Sequence, residues 1–270
     1  MLSSDSAAGI APLPDWADLW QTTLNWMPTS QQLQQFQTFY GLILQGNQQL
    51  NLTRITQPIE FSEKHLWDSL SGIKDLLASS GADDPQHTPS PPTANPFSVI
   101  DIGTGAGFPG IPIAIARPDW HITLLDSTRK KVAFLDQTLS ALNLGNAATM
   151  VGRAEEIGQQ RHYRAQYNLA LIRAVAPATV CAEYTLPLLK VGGLAVLYRG
   201  LWSDEEAQAL AVAVGLLGGE IEAIAAFKTP ISQSDRHCVY LRKLTTTAPE
   251  YPRLPGVPSQ KPLGISEEAQ

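Results

Sequence analysis

One stretch restricts the fold more than any other: Val99-Ile100-Asp101-Ile102-Gly103-Thr104-Gly105-Ala106-Gly107-Phe108-Pro109-Gly110. An apolar run of strand length ends in an acid and passes into alternating glycines. Glycine accepts the left-handed backbone of a tight turn and lets a ligand approach the main chain. The helix expected over 110–116, with Pro112 tolerable in its first turn, aims its N-terminus back at that turn, where a carboxylate or a phosphate is stabilised. A strand, a glycine turn and a helix in this order belong to open α/β sheets, whose ligands sit beyond the C-terminal ends of the strands.

The rest of the chain continues the alternation. Strands are expected at 97–102, 121–126, 147–151, 167–172 and 194–198, with helices over 110–116, 129–142, 177–189 (stopped by Gly192-Gly193) and 203–216. Late strands near 221–227 and 237–241 finish the pattern. The fold class is therefore α/β, a doubly wound and mostly parallel sheet with helices on both faces. Ahead of it, three amphipathic helices are expected over 14–26, from a Thr29 or Ser30 cap through Ile43, and over 59–78. They form an N-terminal helical extension, 1–80. Residues 81–96 are rich in Pro, Ser, Asp and Thr and read as a linker or insert. The catalytic-type domain is placed at 97–244 and an extended tail at 245–270.

Composition narrows the class. Hydrophobic residues make up 44% of the 270, enough for a sizeable core. The two cysteines, Cys181 and Cys238, lie far apart and outside any CxxC pattern. A disulfide framework or zinc site is not expected, and a reducing cytoplasm fits. Neither a signal peptide nor a membrane span is legible. The net charge of −6 is unevenly spread: residues 1–128 carry −8 and residues 228–264 carry +4. A polarised chain still offers phosphates a positive face.

Gly105–Gly110 also fits the GxGxxG dinucleotide fingerprint. Two details point elsewhere. Asp101, just before the glycines, can meet the amine of a methionine-type cofactor, whereas a pyrophosphate gains nothing from it. Phe108 and Pro109 crowd a phosphate turn. Asp126, with Ser127 and Thr128, ends the second strand about twenty residues past the glycines, where an acid commonly holds ribose hydroxyls. That ribose is common to adenosylmethionine and NAD, so Asp126 does not separate them. Gly152-Arg153-Ala154-Glu155-Glu156 follows the third strand, where a backbone amide can meet an adenine edge, although alone it reads as an ordinary loop. Arg173 follows the fourth strand. It can contact substrate or cofactor, the alternative being a structural salt bridge to a helix-end acid. Trp16, Trp20 and Trp26 read as core.

With these pieces assembled, the chain resembles the bacterial 16S ribosomal RNA guanine-N7 methyltransferases, the family also called glucose-inhibited division protein B. The likeness runs from Phe36 to Leu244, extends through the tail to Leu263, and rests on Asn51-Leu52-Thr53, His65-Leu66-Trp67-Asp68-Ser69, Asp101–Gly110 with Ile111-Pro112, Leu124-Leu125-Asp126-Ser127, Arg173-Ala174-Val175-Ala176 and Asp235-Arg236-His237. It implies S-adenosyl-L-methionine as cofactor and 16S ribosomal RNA or the small ribosomal subunit as partner, with no metal and no membrane. Together with the glycine loop (Asp101, Gly103, Gly105, Gly107), it implies that Phe108, Asp126, Ser127, Thr128, Ala154, Glu155 and Arg173 contact the cofactor or border the reaction, Arg173 being the catalytic candidate. Arg199-Gly200 stands where the family often has lysine before glycine, so charge is kept but not its point-like form.

Guanine N7 carries no proton, so attack on a sulfonium methyl needs alignment and no general base. RNA contacts are expected at Arg54, Lys64, His65, Arg199, Arg236, His237 and Arg253, with a structural role for His65 equally open. The proline-rich tail, 251–262, is expected to run extended, with Arg253 and Lys261 free of internal partners. Two other readings stay open: a methyltransferase of this fold acting on a small molecule or protein, and a non-catalytic or NAD-dependent nucleotide-binding module.

Overall fold

The computed structural model describes residues 9–77 and 97–265; the expected linker at 81–96 lies outside the described residues. Seven strands form one sheet: β1 (Ser98–Ile102), β2 (His121–Asp126), β3 (Ala147–Val151), β4 (Tyr167–Arg173), β5 (Leu189–Arg199), β6 (Gly219–Lys228) and β7 (Asp235–Lys243). Their order is β3-β2-β1-β4-β5-β7-β6. The first five run parallel, and β7 is antiparallel to both β5 and β6. β1 and β4 are buried and apolar almost throughout, as strands covered on both faces must be. The order reverses between β1 and β4, and a crevice forms beyond the strand ends at such a point.

The N-terminal helices are α1 (Ala17–Leu24) and α2 (Ser30–Leu50). Thr29 caps α2 through a reciprocal capping box with Gln32, and Asn51 ends it in a left-handed conformation. The α2 face carrying Phe36, Phe39, Tyr40 and Ile43 is wholly buried. Each such side chain contributes on the order of 2 kcal/mol by leaving water. They share one apolar core with α6 (Gly110–Ala116), α7 (Arg129–Ala141) and one face of the sheet. Trp20 and Trp26 stack there at 5.8 Å, as expected of core tryptophans.

The third expected helix differs from its simple form. It is α3 (Pro58–Phe61), a π-helical stretch Ser62–Trp67, α4 (Asp68–Ser71) and, after a break, α5 (Lys74–Leu77). A π-turn adds a residue to each turn and re-aims the side chains that follow, a device common at functional sites. Here Glu63, His65 and Asp68, polar residues on a buried surface, each face a specific partner: the β6–β7 connection, Thr53, and Arg173 with Arg236. Glu63 accepts hydrogen bonds from Ile231 N (2.6 Å) and Ser232 N (2.8 Å), fixing the β6–β7 hairpin.

Two boundaries also depart from expectation. α9 (Ala178–Thr185) gives way to a 3₁₀ turn, Leu186–Leu188, because Pro187 supplies no N–H to an α-helix. β5 therefore starts before Gly192-Gly193 and contains them. A Cβ on Gly193 would lie 2.9 Å from the Lys190 carbonyl oxygen, so the strand irregularity there requires glycine. The segment after β3, expected as a loop, is α8 (Ala154–Gln159). Its glutamates stabilise its first turn through the helix dipole. The last helices are α10 (Asp204–Leu216) and α11 (Val257–Gln260).

Candidate functional site

The glycine turn leaves β1 with Gly103, Gly105 and Gly107 all at positive φ (67°, 61° and 98°). Their roles differ. A Cβ on Gly103 would stand 2.5 Å from Val175 Cγ2, and one on Gly107 2.5 Å from Ile111 Cδ1, so both glycines permit close packing. A Cβ on Gly105 would meet only the Gly103 carbonyl oxygen, at 3.9 Å, and otherwise open space.

Two carboxylates hold the turn. Asp101 Oδ2 accepts from Thr104 Oγ1 (2.6 Å) and Gly110 N (2.8 Å). Asp126 Oδ2 accepts from Gly105 N (3.0 Å) and its Oδ1 from Thr128 N (2.8 Å). The reading of Asp101 as an amine ligand is thus corrected in part: one oxygen is committed to the turn. Oδ1 is buried and has no partner among the described residues. Burial pushes the Asp101 carboxyl up to about 6, with Thr104 and the Gly110 N–H pulling partly the other way. Because this folded-state value lies above the unfolded one, Asp101 favours folding most in acid, and that contribution is lost as pH rises through about 6. Relative to Asp101→Asn, the wild type is expected to lose on the order of 2 kcal/mol between about pH 4 and about pH 7. Urea unfolding of both proteins at the two pH values checks this, and a constant difference would contradict it.

A cavity of about 220 Å³ opens beside the turn, and Gly103, Asp126, Ser127, Ala154 and Glu155 line it. Asp101, Gly105, Gly107, Phe108, Thr128 and Arg173 do not line it. Glu155 is buried and accepts from Arg153 Nη2 (3.0 Å), Tyr184 Oη (3.1 Å) and Gly256 N (3.0 Å). Burial raises its pKa, but the Gly256 N–H and Arg153 outweigh that and hold the carboxyl below its usual range. Tyr184 and Ser259 complete the wall.

On the other side of the β4 exit, Arg173, Arg199, Arg236 and His237 share a second cavity of about 580 Å³. Ala174, between the two, has φ 55°, a left-handed backbone that costs a non-glycine residue about 1–2 kcal/mol and is often found at functional sites. Arg173 Nη1 donates to Asp68 Oδ2 (3.0 Å) and to the Lys64 carbonyl (3.2 Å). Arg236 Nε takes the other oxygen of Asp68, at 3.2 Å. Arg173 is therefore ion-paired and still borders the cavity, so both sequence readings of it describe part of its surroundings. The guanidinium also lies over Phe108, 5.5 Å from the ring centroid. Arg199 pairs with Glu206 (2.7 Å) and donates to the Ala176 carbonyl (3.0 Å). His237 Nδ1 lies 2.7 Å from the Gly200 carbonyl oxygen.

Two RNA-contact expectations are corrected. His65 is buried and stacks on Phe108 at 4.3 Å with planes 12° apart. Its Nε2 is 2.8 Å from Thr53 Oγ1 and its Nδ1 is 3.5 Å from Arg173 Nη2. Arginine only donates, so Nδ1 accepts and Nε2–H donates to Thr53. Burial, with Arg173 beside it, pushes His65 down to about 3. It is a neutral structural histidine out of reach of a polyanion. Arg253 is not free: its Nε and Nη2 pair with Glu183 at 2.9 and 2.7 Å, and the tail around it is folded against α8 and α9. An inward-facing acid on α9, invisible as a partner in sequence, overrides the proline-rich character of the segment. Lys64 pairs with Glu60 (2.7 Å), while Arg54 is exposed.

Sequence reasoning missed Asp68 as the residue joining two arginines, and Tyr184 and Ser259 as cavity walls. It also passed over Arg129 and Lys130, exposed in the first turn of α7. Cations oppose the helix dipole there, so their position next to Asp126–Thr128 has no helix-stability reason, and that was a legible signal.

A cleft at the switch point of a doubly wound sheet, walled by the glycine turn at Gly103, the strand-end Asp126 and the buried Glu155, defines a Rossmann-like cofactor-binding protein. The family model described as rRNA small subunit methyltransferase G matches residues 32–239. The chain is 60% identical to the ribosomal RNA small subunit methyltransferase G of Nostoc punctiforme, over 93% of this chain and 98% of that one. To the protein of the same name from Synechococcus elongatus it is 54% identical, over 91% and 96%. The chain belongs to the rRNA small subunit methyltransferase G family. Among the described residues no helix is long and apolar enough to cross a membrane, and no group of three His, Cys, Asp or Glu side chains is arranged to hold a metal ion.

Proposed function

We propose that this protein transfers the methyl group of S-adenosyl-L-methionine to N7 of a guanine in 16S ribosomal RNA, in the cytoplasm. The observation that carries the reading is the pair of cavities flanking Arg173–Ala176, one acid- and glycine-walled, the other arginine-lined. The residues fit the cofactor. Among the described residues, Asp101 Oδ1 is a buried acceptor without a partner, and Gly105 faces open space that a side chain would take. Asp126 keeps a lone pair on each oxygen that would accept from ribose hydroxyls, and Ala154 and Glu155, which line the cavity, would border the purine. Bound adenosylmethionine supplies an electrophilic sulfonium methyl.

The protein's own contribution is alignment. Transfer to N7 would require the base to be held in line with the methyl donor, and no proton would have to leave. His65, held neutral and turned away on Phe108, is not positioned to take one. The arginines do not offset the positive charge that appears on the guanine ring. Their chemistry is to hold anions, namely the cofactor carboxylate or RNA phosphates, and to fix the base by holding what surrounds it. Asp68 orients Arg173 and Arg236 by taking one on each oxygen, and so ties the N-terminal extension to the substrate side. Mass spectrometry of ribosomal RNA from cells with and without the gene tests the proposal. One N7-methylguanine in 16S RNA should disappear without the protein and return with it; an unchanged inventory would refute the assignment.

A further inference from the structure

The segment from Thr247 to Gln260 lies beyond the residues that the family model matches, yet it is tied to the cofactor side of the sheet at many points. Arg164 donates to four carbonyl oxygens, those of Gly158 (3.0 Å), Tyr251 (2.6 Å), Thr247 (2.8 Å) and Ala248 (3.0 Å). Gln159 Nε2 donates to the carbonyls of Pro249 (3.1 Å) and Pro252 (2.7 Å). Arg253 covers Glu183, whose side chain is 1% exposed, with both its guanidinium and its backbone N–H (2.8 Å). A carboxylate so deeply buried is strongly disfavoured without a partner, so the position of the tail is enforced from beneath. A few residues further on, the chain reaches the cavity. Gly256 N donates to Glu155, and Ser259 Oγ lies 3.4 Å from Tyr184 Oη, which itself bonds Glu155. Ser259 lines the same cavity as Gly103, Asp126 and Ala154.

We infer that this tail is a wall of the cofactor cavity, and that Ser259, at its mouth, helps determine how tightly the adenosyl end of the cofactor is held. The inference rests on the cofactor reading given above. It replaces the expectation of an RNA-tracking tail at Arg253, whose guanidinium is spent on Glu183; Lys261, the other cation of that expectation, is exposed. The chain of contacts from Glu155 through Tyr184 to Ser259 sits at the exits of β3 and of the α8 turn, the purine side of the cleft. A change at Ser259 therefore acts on the ligand without passing through the glycine turn.

The test uses the full chain and adenosylhomocysteine as probe. Ser259 is exposed, so Ser259→Glu keeps the fold, and its melting temperature should match the wild type within about 2 °C. It puts a second carboxylate beside Glu155, and adenosylhomocysteine should bind at least about fivefold more weakly in calorimetric titration. In the wild type, amide hydrogen exchange over Gly256–Gln260 should slow about tenfold when adenosylhomocysteine is bound. Wild-type affinity in Ser259→Glu, or exchange at one rate with and without the probe, would overturn the inference. Gly105→Val measured alongside separates the two readings. If it loses binding while Ser259→Glu does not, the tail is wrong and the cofactor site stands; if neither loses binding, the cofactor site itself is wrong.

Discussion

Arg173→Ala is expected to lower methyl transfer about a hundredfold or more while the protein remains folded, since losing a group that holds an anion of cofactor or RNA in place beside the reacting centre typically costs that much in alignment. The guanidinium is a fixed cation: Asp68 and the Lys64 carbonyl hold its Nη1, and the Phe108 ring lies beneath it. It therefore loses little freedom when an anion from cofactor or RNA arrives. Deleting it does not abandon Asp68, whose other oxygen still receives Arg236, so the stability cost should stay near ~1–3 kcal/mol. Activity per folded molecule and melting temperature, measured together, separate the roles. A lower melting temperature with unchanged activity would make Arg173 a strut and nothing more. Asp68→Asn refines the result. It keeps the shape but weakens the hold on both arginines, so activity should fall less than in Arg173→Ala, with the larger part of the change in KM.

The parts of this site that were legible in sequence are those where local chemistry decides geometry. The glycine turn had to follow a strand, because only glycine takes positive φ cheaply at three positions so close together, and all three do. The Thr29 cap and the β2 and β3 boundaries likewise follow from local preference. What stayed hidden are pairings across long sequence separations. Asp68 and Arg173 lie 105 residues apart and Glu183 and Arg253 lie 70 apart. No periodicity reports them. The tail was misjudged for a related reason: proline content correctly argues against a long helix, but is silent about whether carbonyl oxygens find an arginine, as three of the tail's do with Arg164. The π-turn is a third case. Ser62–Trp67 has an ordinary helical composition, and only packing His65 on Phe108 while Asp68 reaches Arg173 demands the extra residue.

Gly105→Val is expected to abolish cofactor binding, with at least a hundredfold loss of affinity for adenosylhomocysteine, or about 3 kcal/mol or more. Two effects act together. The space beside Gly105 is open in the protein: a Cβ there would meet nothing but a carbonyl oxygen, at 3.9 Å, so a branched side chain would occupy room left for a ligand. A β-branched residue also resists φ of 61°, by about 1–2 kcal/mol, and relieving that strain would rotate the peptide whose N–H reaches Asp126 Oδ2. The acid proposed to hold the ribose would then lose its bond to the turn. Gly103→Val is a useful contrast, because its Cβ would strike Val175 at 2.5 Å. That variant should be limited by stability, with a markedly lower melting temperature. Gly105→Val should melt within a few degrees of the wild type, since ~1–2 kcal/mol moves a domain of this size by about 2–5 °C. Calorimetric titration of protein shown to be folded decides the matter. Tight binding of adenosylhomocysteine by folded Gly105→Val would mean that the turn shapes the protein without cradling the cofactor, and the site would have to be rebuilt around Asp126 and Glu155 alone.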